Sequence, residues 1–432
     1  MRINSQQPYK NNPHPQNFGG LTELMMDNVF LNKAMFDLTG SDIPWVVMAN
    51  NKEERRERIN RASLSAGLIF LPPILILPFV NRFAMSKIVE LTPNLLHKNY
   101  NAIRLSNKCL GSAEEAEKGL EKLAKQSSFS NELKDMYYKY IIRKPVPEEK
   151  INLDELLQNV KGSNLDEKYN QIRKKISTAK NIVLAVDLLV LTGVFGHIGF
   201  YNNWQTEKKT GQIGYSAELK MADKNVIEGR AAKYKQNEKL RYAGFLATLA
   251  GIVVGIPMAI RHGVVSKKAG KFNEFIRKHC EKVDYKDTIF MKRFPLFLTF
   301  LGAHFGIFMA SRNKTERKDN AIRSTNTLTL FFIGDLLLAS GLGRLSDHFL
   351  KTKTMKQGDK KSLLNRILPS MKDLQELKAT KCPKTVRNAK TIFWANFIFL
   401  SAMMGIITPH LINKIIKKDV DTDAKKQTAN GK

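Results

Sequence analysis

Arg323–Arg344, RSTNTLTLFFIGDLLLASGLGR, sets twenty mostly apolar residues between two arginines. At about 1.5 Å of rise per residue, a helix over that stretch covers roughly 30 Å, the thickness of a bilayer's hydrocarbon core. A helix suits that medium because it closes its backbone hydrogen bonds internally. The framing arginines are expected to extend along their stems and place their charge in the headgroup layer. The same frame encloses ASLSAGLIFLPPILILPFVN in Arg61–Arg82 and YAGFLATLAGIVVGIPMAI in Arg241–Arg261. A proline stands four residues before the closing arginine in these two, at Pro78 and Pro257; Ser340 takes that place in Arg323–Arg344.

Working outward, three further apolar runs alternate with the frames: Asn181–Asn203, Phe294–Ser311 and Thr391–Asn413. The first and last of these open alike, with AlaLysAsnIle at Ala179 and AlaLysThrIle at Ala389. The order frame, run, frame, run, frame, run predicts an all-α polytopic membrane bundle of about six transmembrane helices, arranged as three two-helix units. The expected spans are 62–84, 180–203, 241–262, 294–311, 327–344 and 391–413. A disordered tail (1–20) and amphipathic and charged helices (21–61) precede them. Between them are expected a helical extramembrane loop (85–179), a helical connector (204–240), a basic loop (263–293), a short loop (312–326) and a second basic loop (345–390). A basic tail (414–432) closes the chain.

The 432 residues carry 70 Lys+Arg against 40 Asp+Glu, a formal net charge of +30. A mean hydropathy of −0.30 averages apolar runs with charged loops, and insertion depends on local windows rather than the mean. The bases cluster beside the runs, at Arg55, Arg56, Arg58 and Arg61, at Arg173, Lys174, Lys175 and Lys180, at Lys267, Lys268 and Lys271, and at Lys414, Lys417 and Lys418. That placement predicts a bilayer with anionic headgroups as partner, each basic residue near the surface adding about 1 kcal/mol of attraction. A homo-oligomer or membrane partner is a further expectation. No basic, aromatic-rich module argues for nucleic acid. Three scattered cysteines, Cys109, Cys280 and Cys382, fit free thiols facing a reducing compartment rather than a disulfide framework. The expected location is an integral one, in a bacterial cytoplasmic membrane. Basic residues flank the spans on both sides, so sidedness is weakly encoded; long within-unit loops facing the cytoplasm would put both termini outside.

Along the chain, Thr22–Leu38 reads as an amphipathic helix with Leu21, Leu24, Met25, Val29 and Met35 as its apolar side, Gly40 as its stop, and either the membrane or the bundle beneath it. Trp45, after Pro44, is expected at the membrane interface. Pro72, Pro73 and Pro78 predict a kinked first span. Within 85–179, Ser112 and Glu115 form a capping-box pattern opening a helix to about Lys125, and Asn152 is a second cap.

The candidate functional residues are polar groups inside the runs. Asp335 and Asp187 each cost a few kcal/mol in hydrocarbon, so each is expected to face a partner, water or the bundle interior. Proton coupling or cation coordination is the functional expectation for them, and an interhelical hydrogen bond or ion pair the structural one. His197, His304 and His410 fall in the second helix of each unit, at different depths. Proton relay and a simple buried hydrogen bond are both open to them. Small residues mark helix packing: Ala243, Ala247, Gly251, Gly255 and Ala259 recur every four residues, and Gly302 with Gly306, and Ser401 with Gly405, do so more briefly.

Motifs of soluble catalysis are missing: the sequence holds no phosphate loop, no HExxH pair and no GxSxG turn. No catalytic, cofactor or metal site is expected. The three-by-two layout is similar in outline to the mitochondrial carriers. Their proline–acid–base signature is absent, however, and that family is not assigned. Two functions follow: a small-solute or ion transporter using intramembrane acids, or a non-catalytic membrane scaffold or assembly subunit binding anionic lipids or partner proteins.

Overall fold

A computed structural model describes residues 20–71, 76–87, 157–219, 223–265, 270–271, 293–352, 354–355 and 383–430. Among these residues the protein is all-helical, with no strand. The elements are α1 (Gly20–Asp27), α2 (Val29–Asp37), α3 (Ile43–Val47), α4 (Lys52–Leu71), α5 (Leu77–Ser86), α6 (Leu165–Leu188), α7 (Val194–Thr210), α8 (Lys224–Gln236), α9 (Glu238–Ala250), α10 (Ile256–Val265), α11 (Arg293–Met309), α12 (Lys314–Thr329), α13 (Asp335–Leu350), α14 (Pro383–Ala402) and α15 (Thr408–Asn430). One π-helical turn joins each of the pairs α2–α3, α6–α7, α9–α10, α12–α13 and α14–α15 without breaking the rod. Such turns shift side-chain register and free backbone groups.

Four of these rods are long and apolar enough to cross a bilayer: Leu165–Thr210, Glu238–His262, Lys314–Leu350 and Lys384–Thr422. Arg293–Met309 is a shorter apolar helix. Local chemistry explains the boundaries. The side chains of Asn28, Asn164 and Asn313 each accept a hydrogen bond from the backbone N–H three residues on, at 3.0, 2.7 and 2.8 Å, and so open α2, α6 and α12. Gly211, at φ 68°, ends α7 in the left-handed conformation that glycine adopts freely.

The central seam joins α7 to α11, and it is built from glycines. A Cβ on Gly306 would stand 2.6 Å from the Gly196 Cα, and one on Gly199 would meet Ala310 at 2.8 Å. Gly302 lies against Thr192 and Ile252. The Gly302–Gly306 pair is therefore a true close approach. The longer stripe behaves differently: Ala243, Ala247, Gly251 and Gly255 are exposed, Ala259 is half-buried, and nothing lies within 4 Å of a Cβ on either glycine. That face meets no other helix among the described residues, because α9–α10 turns Phe245, Leu249 and Ile260 inward instead.

The N-terminal helices are part of the bundle. Met25, Phe30, Ala34 and Phe36 are buried, whereas Leu21 is 53 % exposed. Asn28 divides the expected Thr22–Leu38 helix into α1 and α2. Gly40 does not stop it; a π-helical turn runs on, and Gly40 packs against the Ser401 backbone while Pro44 fills the space beside Gly405. Trp45 also points inward, its Nε1 donating to the Met404 carbonyl at 3.4 Å.

Two other expectations change. Residues 314–326, read as loop, are helical from Lys314. The framing arginines divide by position. Arg82, Arg261 and Arg344, which close the frames, are exposed. The openers turn inward: Arg241 donates to the Met309 and Ser311 carbonyls at the end of α11, Arg323 is 5 % exposed, and Arg61 lines a cavity. The helical calls around Ser112–Lys125 and Asn152, together with Pro72, Pro73 and the three cysteines, lie outside the described residues.

A candidate polar cavity

The residues gathered inside the bundle come from two helices with matching polar stripes. On α4, Glu54, Glu57, Arg58, Arg61 and Ser65 follow three- and four-residue spacings and so share one face. Glu316, Asp319, Arg323 and Thr327 do the same on α12. Each stripe lies beside an apolar run, so burying the runs carries the charges inward.

Arg312 ties the two together. Its Nη1 and Nη2 donate to the two Glu57 oxygens at 2.8 and 3.0 Å, while its Nη2 and Nε donate to the two Glu316 oxygens at 3.0 and 3.1 Å. One guanidinium thus holds two carboxylates with paired, charge-assisted bonds. Ser216 adds a hydrogen bond to Glu57 at 2.5 Å. Burial alone would raise the Glu57 carboxyl pKa, but Arg312, Ser216 and Thr206 outweigh it and hold the group below its usual range. Asp319 accepts from Arg323 and from the Tyr215 hydroxyl, and Glu54 accepts from Arg58. Lys33, 1 % exposed, pairs with Asp37 and lies 4.2 Å from the Phe300 ring centroid.

Around these pairs lie two adjoining cavities, of about 50 Å³ and about 90 Å³. Arg58, Arg61, Ile307 and Arg323 line both. The smaller reaches Asn202, Asn203 and Ala310 near the end of α11; the larger reaches Phe300, His304 and Thr327. Phe300 is nine residues from Met309, so the polar space extends about 14 Å along α11, roughly half a hydrocarbon core. Two ionisable groups face the larger cavity without a hydrogen bond or ion pair among the described residues, Arg61 and Asp42. Burial, with Asp37 nearby, pushes the Asp42 carboxyl up to about 7, against the opposing pull of Arg61 and Lys33.

Of the candidate functional residues named from the sequence, His304 alone lines this space. Its Nδ1 lies 3.0 Å from the Ser324 hydroxyl and its buried Nε2 has no hydrogen-bond partner among the described residues. Asp335 is elsewhere, closed by Arg293 Nη2 at 2.5 Å and Asn396 Nδ2 at 2.7 Å. His197 is also closed: its Nδ1 donates to the Gly193 carbonyl at 2.6 Å, so its Nε2 accepts from the Tyr242 hydroxyl at 2.8 Å. Asp187 is 2 % exposed on α6 and is engaged with its surroundings. His410 is exposed on α15. Sequence reasoning passed over Glu57, Glu316 and Asp319, although their spacing on α4 and α12 was the signal that could have found each stripe. Arg312, which precedes α12, carried no such signal.

No group of His, Cys, Asp and Glu among the described residues is arranged to hold a metal ion. No family model, curated protein or solved structure matches the chain. The cavity's chemistry is therefore the ground for any functional reading.

Proposed function

We propose that the chain is a membrane transporter that takes a small solute or ion into this cavity. The observation that carries the reading is the 90 Å³ space itself, bounded by ionised groups in the interior of an apolar bundle. Buried charge is costly unless paired, and a bundle with only a packing role gains nothing from keeping room between its charges. In the full arrangement we assign six spans, adding 62–84 and 294–311 to the four long rods. The basic clusters flanking them lie against anionic headgroups. Purified protein in phosphatidylcholine vesicles is expected to pass members of a panel of small ions and solutes, with saturable rates. Arg323→Gln should reduce that flux while Arg344→Gln, on the exposed end of the same rod, leaves it intact. Vesicles no more permeable than empty ones to the whole panel would overturn the reading.

The scaffold reading keeps one observation of its own. The outward stripe from Ala243 to Gly255 is suited to close approach by another helix. It does not account for the cavity, and so it stands second.

A further inference from the structure

The cavity's unused hydrogen-bonding groups are unequal in sign. Glu54, Glu57, Glu316 and Asp319 are each consumed by arginines and their neighbours, as described above. On the cationic side, Arg61 has no hydrogen bond or ion pair among the described residues, and Arg323 uses only its Nε on Asp319, its guanidinium lying 4.1 Å from the Trp45 ring centroid. Both arginines line both cavities. His304 adds an unpartnered Nε2, which carries a proton whenever Nδ1 accepts from Ser324. Among the carboxyl groups lining the larger cavity, Asp42 has no hydrogen bond or ion pair among the described residues, though Arg61 and Lys33 attract it, and Asp37 is held by Lys33.

Three guanidiniums, Arg58, Arg61 and Arg323, border this space. Glu54 and Asp319 are ion-pair partners of the first and last. Arg61, repelled by Arg323 and attracted by Asp319 and Asp42 with no ion pair to either among the described residues, is the one costly to bury. A planar fork of N–H donors is matched by the paired oxygens of a carboxylate or a phosphate. We propose that the larger cavity is a binding site for an oxyanion group, a carboxylate or phosphate, held by Arg61 and Arg323 with His304 Nε2 and Ser324 beside it. The space suits a small, free anion; a phosphate of a lipid headgroup offers the same chemistry. The inference rests on the transport reading of the cavity and gives its solute a charge.

The test is equilibrium dialysis of the full chain in detergent against labelled inorganic phosphate and labelled acetate, at fixed ionic strength. The expected result is one saturable site per chain for at least one of the two. Arg61→Gln should weaken it by about tenfold or more, the loss of one charge-assisted contact, whereas Arg55→Gln, exposed on the same helix, should not. If Arg61→Gln does not fold, Ser324→Ala serves instead, with a smaller loss. Saturable retention of phosphatidylglycerol but not of the free anions, again dependent on Arg61, would keep the oxyanion site and identify its source as lipid. No saturable binding of any of the three, or binding indifferent to Arg61 and Ser324, would overturn the proposal. Binding without vesicle flux would sink transport and leave the site standing; flux of cations without anion binding would do the reverse.

Discussion

The bundle buries charge in two ways. Around Asp335 the polar groups close upon one another: Arg293 takes one carboxylate oxygen, Asn396 the other, and Arg293 also donates to the Phe331 carbonyl at 2.8 Å. Only the Asn396 Oδ1 there lacks a hydrogen bond among the described residues. Around Arg312 and Arg323 the groups also pair, yet they enclose open space, and among the described residues Arg61 and Asp42 have no hydrogen bond or ion pair and one His304 nitrogen no hydrogen bond. The first pattern is how a membrane protein fastens helices; the second is how it keeps a place for something polar. An acid inside an apolar run is therefore a weaker guide to function than a charge whose partners are missing.

The contrast can be broken at its strongest point first. Arg312→Leu strands Glu57 and Glu316 without a cation. Removing one partner of a buried ion pair costs about 3–5 kcal/mol, so thermal unfolding in detergent should show a marked loss or no folded protein. Next, Gly306→Ala disturbs the α7–α11 seam without touching a charge. Its methyl would meet the Gly196 backbone, and overpacking of this kind costs about 1–3 kcal/mol. Gly251→Ala, with open space beside it, should be neutral or slightly stabilising in the same assay. Asp335→Asn keeps the shape of the closed cluster but loses a charge-assisted bond, for about 1–2 kcal/mol, and should leave ligand binding unchanged.

The contrast also predicts a pH dependence, carried by Asp42. Its folded-state pKa is raised from 3.8 to about 7, mainly by burial. The fold thus favours the neutral acid. The stability this contributes is complete below the ordinary carboxyl value and is lost as pH rises through about 7. Asp42→Asn should flatten that part of the stability profile and leave the protein no less stable at alkaline pH. An unchanged profile would mean Asp42 is solvated in the way an exposed acid is.

The long rods were legible because apolar length is a local property. Asn181–Asn203, Arg241–Arg261, Arg323–Arg344 and Thr391–Asn413 all fall within helices long enough to span. The cavity was not legible because its charges sit at the ends of runs, where Lys and Arg are ordinary and a snorkelling arginine is the default. Arg61 and Arg323 were noticed as the bounds of frames and expected in headgroups; tertiary packing turned them inward. Glu57 and Arg312, hydrogen-bonded across 255 residues of chain, belong to no common local pattern. The small-residue stripe meets no other helix among the described residues for a related reason. Spacing shows that residues share a face, but what the face meets is decided by the rest of the bundle.

The central claim is that one polar region keeps room for a polar ligand and the other is filled by its own pairs. Thiol labelling compares them directly, in a protein lacking Cys109, Cys280 and Cys382, with Ser324→Cys in the cavity and Asp335→Cys in the closed cluster. Both variants must first be shown to insert and fold. With a small, membrane-impermeant reagent, the account predicts that Ser324→Cys is modified from one side of the membrane and that Asp335→Cys is protected. Protection of Ser324→Cys from both sides, with exposed positions such as Arg344→Cys reacting normally, would contradict it.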